Sequence, residues 1–214
     1  MAVFTLEEQE QIADLRYFWR GYGRWLALIL VILAVGFGGY QYWQFRQAQR
    51  IALYANEYAA LVQLDSAEGK ELAAIQTATL KLQSTAPQNI YTTRATQLLA
   101  KNAAAKGDLV LAEKQLRWIL ANQKQADLLI LTKLSLVSVL VDNKQAPAAL
   151  ALLNEAPLAG YEAVLNERKG DVLAFLGKKT EAKTAYTLVL KGLDKEADAG
   201  AYALLSQKID SLGE

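Results

Sequence analysis

An all-α fold is what this 214-residue sequence predicts, and three observations carry the prediction. Ala, Leu, Gln and Lys, all good helix formers, recur along the whole length with only three prolines. Apolar residues repeat at spacings of three and four rather than in strict alternation. Between Arg24 and Arg46 lie 21 residues without a charge, WLALILVILAVGFGGYQYWQF. At about 1.5 Å rise per residue that run makes a helix roughly 31 Å long, the hydrocarbon thickness of a bilayer.

The expected organisation follows from this run. Residues 1–24 form a short tail, 25–45 a transmembrane helix, and 46–214 a helical domain. Trp19, Tyr22 and Trp25 gather at one end of the span and Tyr40, Tyr42, Trp43 and Phe45 at the other, as amphipathic rings do at the two headgroup levels. A cleavable signal peptide would use Ala34-Val35-Gly36 as its cleavage site. Against it stand the 24 preceding residues, which include Glu7, Glu8, Glu10 and Asp14, and the aromatic cluster beyond the site. Arg16, Arg20 and Arg24 precede the span while Arg46 and Arg50 follow it, a three-to-two bias that favours a cytoplasmic N-terminus and a translocated C-terminal domain. Ala34 and Gly38 form a small-xxx-small pair that permits a neighbouring helix to approach.

The 169 residues after the span carry 20 Lys plus Arg against 18 Asp plus Glu, a balance without the basic stripe that nucleic acid requires. The chain has neither Cys nor His, which excludes disulfides, thiol nucleophiles, zinc sites of the usual ligands and His-centred acid–base chemistry. Glu167 and Asp171 share a helix face at i, i+4, but they alternate with Arg168 and Lys169 as on a solvated surface. Gly36, Gly38 and Gly39 sit inside the apolar run and form no phosphate loop. No catalytic residue, cofactor or small-molecule substrate is expected.

Residues 46–64 contain no Pro or Gly, so the span is expected to continue as one helix with Ile51, Tyr54, Tyr58, Leu61 and Val62 on one face. Asp65-Ser66-Ala67-Glu68-Gly69 should end it, followed by a helix over about 70–82 and a stop at Pro87. Helical pairs come next, turning at Gly107, Lys144 and Gly177, with offsets of 37 and 33. Five residues after each marker stands Ala (Ala112, Ala149, Ala182), and nine after it Leu116, Leu153 or Tyr186. Seven before it stands Ala100, Val137 or Gly170, where Val137 fits a small position less well. The spacing and the small positions resemble degenerate tetratricopeptide repeats, whose period is 34. An ordinary helical bundle would share much of the patterning.

In stacked repeats the inner surface binds extended or helical partners. The alignment places Arg94, Gln97 and Lys101 there, then Leu131, Leu134 and Ser138, then Val164, Glu167 and Asp171. This surface has an apolar middle and ends of opposite charge. Charge reversal at Lys101 or a polar residue at Leu134 is expected to weaken partner capture without unfolding the domain. The alternative is that a C-terminal helix over about 197–212 covers Leu131, Leu134 and Val164.

Tail, single span and degenerate repeats, in that order, resemble the YfgM family, the ancillary subunit of the bacterial SecYEG translocon. The acidic start, Ile12, Leu15, Tyr17, Phe18 and Trp19, and Gly23-Arg24 opening the span carry the likeness at one end. Gly36, Gly39, Tyr40, Trp43 and Gln44 carry it at the far end of the span, then Ala48 and Tyr58. Lys144-Gln145-Ala146, Ala148-Ala149-Leu150, Arg168-Lys169-Gly170-Asp171 and Gly177 carry it in the later repeats. The resemblance implies an inner-membrane protein facing the periplasm that associates with SecYEG and with PpiD, a membrane-anchored periplasmic chaperone, without enzymatic activity. The competing expectations are a repeat scaffold for another envelope assembly, such as cell division or cytochrome maturation, and, least supported, an enzyme.

Overall fold

A computed structural model describes residues 6–66, 72–155 and 159–213, with the backbone alone for 6–16 and 66. Among the described residues there are nine helices and no strand. The chain divides into two compact units, Met1–Leu53 and Tyr54–Glu214.

The first unit is a stretch of helix α1 (Leu6–Ser66). Its large apolar side chains are exposed along the described part of the span, Leu30, Val35 and Phe37 each by more than 60%. A helix apolar on all sides and unburied calls for a nonaqueous surrounding. Among the described residues α1 is the one helix long and apolar enough to cross a membrane. Its rings pair locally, Phe18 with Tyr22 (centroids 5.4 Å apart) and Tyr40 with Trp43 (6.3 Å). The Trp19 indole covers Gly23, where an added Cβ would lie 3.2 Å from the ring. Arg20 and Arg24 are exposed; the side chains of Glu7, Glu8, Glu10, Asp14 and Arg16 lie outside the described residues.

The second unit is a helical stack. After the last turns of α1 come α2 (Leu72–Thr85), α3 (Ile90–Ala105), α4 (Leu109–Asn122), α5 (Ala126–Asp142), α6 (Ala146–Asn154), α7 (Glu162–Phe175), α8 (Lys179–Leu190) and α9 (Ala199–Ser211). From α2 onward each helix packs on the next, and α5 also touches α7, the order expected of a solenoid. Of the face anticipated on α1, Leu61 is buried and Tyr54 and Tyr58 are half-buried, whereas Ile51 and Val62 are exposed. The anticipated break after Asp65 and helix start near Lys70 fall in part on 67–71, outside the described residues. Helix α2 runs three residues past the expected Leu82 and stops two short of Pro87. Asn89 opens α3 by accepting the Tyr91 N–H at 2.9 Å.

The three turn markers are equivalent in backbone as well as in spacing. Gly107 (φ 83°), Lys144 (φ 59°) and Gly177 (φ 74°) all take the left-handed conformation that lets a helix end and reverse. Each N–H donates to the carbonyl three residues back, at 3.0, 3.0 and 2.9 Å. The following N–H (Asp108, Gln145, Lys178) donates five residues back, at 2.9, 2.7 and 2.9 Å. Three orphan carbonyl ends are thereby satisfied in the same way. Asp108 adds a cap to α4, accepting from the Leu111 N–H.

Inside each pair the anticipated positions are buried. Ala112, Ala149 and Ala182 have no exposed surface, and Leu116, Leu153 and Tyr186 fill the space beside them. The small position varies with its neighbour. In the third pair Tyr186 is so close to Gly170 that an added Cβ would lie 2.4 Å from the ring. A larger side chain on α8 is thus matched by the loss of one on α7, as close packing requires. Helices α3 to α7 contribute to the central core, while α7, α8 and α9 enclose Leu173, Tyr186, Val189 and Leu205. Helix α9 packs on α8 and not over the middle of the stack, so it does not cover Leu131, which is 58% exposed.

Candidate functional site

The first helix of each pair, α3, α5 and α7, lines one side of the repeat domain, and three cavities follow one another along it. The first, about 310 Å³, lies among Tyr58, Arg94, Gln97, Leu98 and Lys101. The second, about 560 Å³, shares Gln97 and Lys101 with it and is bounded across the gap by Leu131, Ser135, Ser138 and Asp142. The third, about 260 Å³, shares Ser138 and Asp142 and extends to Arg168, Asp171 and Phe175. Shared walls make the three a single trough.

Helical spacing explains the wall on α3, where Arg94, Gln97 and Lys101 fall on one face at i, i+3 and i+7. The Arg94 guanidinium lies 5.9 Å from the Tyr91 ring centroid, and Tyr91 lies 6.0 Å from Tyr58. Among the described residues neither Arg94 nor Lys101 has a carboxylate within ion-pair distance, so this end offers free positive charge. The wall on α5 is apolar in effect from Leu131 to Ser138, because the Ser135 and Ser138 hydroxyls donate to the Leu131 and Leu134 carbonyls of their own helix.

The α7 end differs from the expectation. Glu167 and Asp171 do not present an acidic patch, because Lys208 on α9 reaches both carboxylates at 2.8 Å. The Tyr186 hydroxyl also donates to Asp171 Oδ1 at 2.8 Å. Burial, then the bond to Asp171, pushes the Tyr186 phenol well above its ordinary pKa. For Lys208 burial acts downward, but the hydrogen bonds to Asp171 and Glu167 outweigh it and the net displacement is upward. Free negative charge in the trough belongs to Asp142, which has no ion-pair partner among the described residues.

Six of the nine side chains anticipated on the inner surface, Arg94, Gln97, Lys101, Leu131, Ser138 and Asp171, line the trough. Glu167 is held by Lys208. Leu134 and Val164 are half-buried against the central core and do not line the cavities, so a polar residue at Leu134 would disturb the fold as well as the surface. Sequence reasoning missed Tyr58, Leu98, Ser135, Asp142 and Phe175. Of these, Ser135 and Phe175 stand four residues after Leu131 and Asp171, a helical repeat that could have found them. Among the described residues no group of three or more acidic side chains is arranged to hold a metal ion.

A family model described as a tetratricopeptide repeat-like domain matches residues 16–214. Over 211 residues the chain is 34% identical to the ancillary SecYEG translocon subunit of Neisseria gonorrhoeae, an alignment that covers 97% of this chain and 98% of that protein. The chain belongs to the ancillary SecYEG translocon subunit family. The Escherichia coli member is 28% identical over 96% of each chain, and the Haemophilus influenzae member 26% identical over 86% of this chain and 88% of its own. No solved structure matches. Membership fits the apolar helix as a membrane anchor and the turn-and-alanine pattern as tetratricopeptide-like repeats.

Proposed function

We propose that this chain is a single-pass inner-membrane protein that associates with the SecYEG translocon and holds a partner in the trough of its repeat domain. Residues 1–24 are cytoplasmic, 25–45 span the bilayer with Trp19, Trp25, Tyr40, Tyr42 and Trp43 at the interfaces, and the domain from 46 onward is periplasmic. The partner is a PpiD-like periplasmic chaperone or an emerging chain, and the protein acts as a scaffold or co-chaperone, without catalysis. One observation carries the reading. The trough combines unpaired Arg94 and Lys101, an exposed apolar residue, Leu131, and unpaired Asp142, which suits a segment with an apolar face flanked by charges.

Photocrosslinking residues placed at Lys101, Leu131 and Ser138 in the full chain in intact membranes test it. Adducts with Sec subunits, a PpiD-like chaperone or chains in transit are expected. Recovery of cell-division or haem-handling proteins in their place would overturn the assignment in favour of another envelope assembly.

A further inference from the structure

Away from the trough, the far end of the uncharged run carries a second cluster. Tyr42, Trp43, Arg46, Gln47 and Arg50 line a cavity of about 250 Å³ on one face of α1. At 100° per residue these five positions fall within roughly 140° of the helix circumference. The Arg46 guanidinium lies 5.9 Å from the Tyr42 ring centroid, which fixes one cation beside an aromatic wall.

The charge of this face is uncompensated. No acidic residue stands between Asp14 and Glu57 in the sequence. Among the described residues no carboxylate lies within ion-pair distance of Arg46 or Arg50, and Glu57 is engaged by Lys81 at 2.8 Å. Two guanidinium forks, an indole N–H and a side-chain amide therefore share one face with no anion to meet them. Guanidinium geometry favours bidentate pairing with phosphate oxygens. The apolar run ends at Phe45, so the two arginines stand at the depth where a bilayer changes from hydrocarbon to headgroup.

We propose that this face binds the phosphodiester headgroup of an anionic phospholipid, with Arg46 and Arg50 on the phosphate and Tyr42 and Trp43 against the glycerol and upper acyl chain. The proposal rests on residues 25–45 spanning the membrane. It assigns the two arginines a ligand, beyond their part in setting orientation.

The test uses the full chain carrying W19F, W25F and W118F, which leaves Trp43 as the one energy donor. It is reconstituted in phosphatidylcholine vesicles containing a small fraction of acyl-labelled phosphatidylglycerol or acyl-labelled phosphatidylcholine as acceptor. Transfer to the anionic probe should exceed transfer to the zwitterionic one by about fivefold in local concentration, the scale of one arginine at a charged surface. R46Q/R50Q should remove the preference while still floating with the vesicles. Equal transfer to the two probes, or an undiminished preference in R46Q/R50Q, would overturn the assignment. Loss of the preference with inorganic phosphate, but not with chloride at equal ionic strength, would assign the site to free phosphate and overturn the lipid. Failure of the chain to float would instead refute the span on which the site depends.

Discussion

Replacing Gly170 by Ala tests whether close packing or helix propensity governs the third repeat. In an exposed helix interior the change stabilises by about 1 kcal/mol, because glycine loses more backbone freedom on folding. Here the new methyl would lie 2.4 Å, 2.6 Å and 2.9 Å from Cε1, Cδ1 and Cζ of Tyr186. The ring has little room to yield, being 2% exposed, tied to Asp171 through its hydroxyl, and lying 5.5 Å from Lys208 Nζ. Overpacking costs about 1–3 kcal/mol, and disturbing a hydrogen bond to a carboxylate costs about 1.5–3 kcal/mol more. With the propensity gain of about 1 kcal/mol subtracted, G170A is expected to destabilise by about 3 kcal/mol, the middle of a range of roughly 1.5–5 kcal/mol. For a unit of this size that lowers the Tm by roughly 6–12 °C, followed by far-UV circular dichroism of the full chain in detergent. Two companions isolate the cause. Gly200 lies in α9 with nothing within 4 Å of an added Cβ, so G200A should raise the Tm slightly. In a Y186A background, where the ring is absent, G170A should be neutral or stabilising. A G170A protein as stable as the parent would refute the close approach of α7 and α8.

Other consequences can be measured on the same protein. Lys144 holds φ 59° where the equivalent turns have glycine, so K144G should raise stability by about 1 kcal/mol, read as a higher Tm. Tyr186 and Lys208 both have folded pKa values displaced upward. Their contribution is therefore complete below the unfolded values near pH 10 and is lost as pH rises through the folded values, so the Tm should fall in the alkaline range and fall less in Y186F or K208M. Leu131 is exposed and Leu134 is packed on the core. L131D and K101E should each reduce crosslinking to the partner with the Tm unchanged, whereas L134D should lower the Tm by itself. Because the chain has no cysteine, T180C introduces a single thiol on an exposed position of α8. An impermeant maleimide should label it in spheroplasts, and labelling only after permeabilisation would reverse the proposed topology.

Much of the site was legible because its determinants are local. A helix end that reverses needs a left-handed residue, a need recorded by residue type at Gly107 and Gly177 and by spacing alone at Lys144. Arg94, Gln97 and Lys101 share one face because their i, i+3, i+7 spacing follows the turn of α3, and the repeat alignment makes that face the inner one. Helix α5 allowed no such discrimination. It is apolar nearly all round, from Leu128 to Val141, so periodicity could not tell that Leu131 faces the trough and Leu134 the core.

Sequence by itself determined the helical class, the uncharged run, the turn positions and the small residues that let paired helices approach. Each is set within one or two turns of helix, where 3.6-residue geometry and backbone conformation act directly. Tertiary structure alone decided that Glu167 and Asp171 are joined to Lys208, 41 and 37 residues away, and to Tyr186. It also decided that Asp142 supplies the free negative charge of the trough. Whether a charge is free or neutralised depends on which distant helix end arrives within about 4 Å, and that separation is fixed by how whole helices stack.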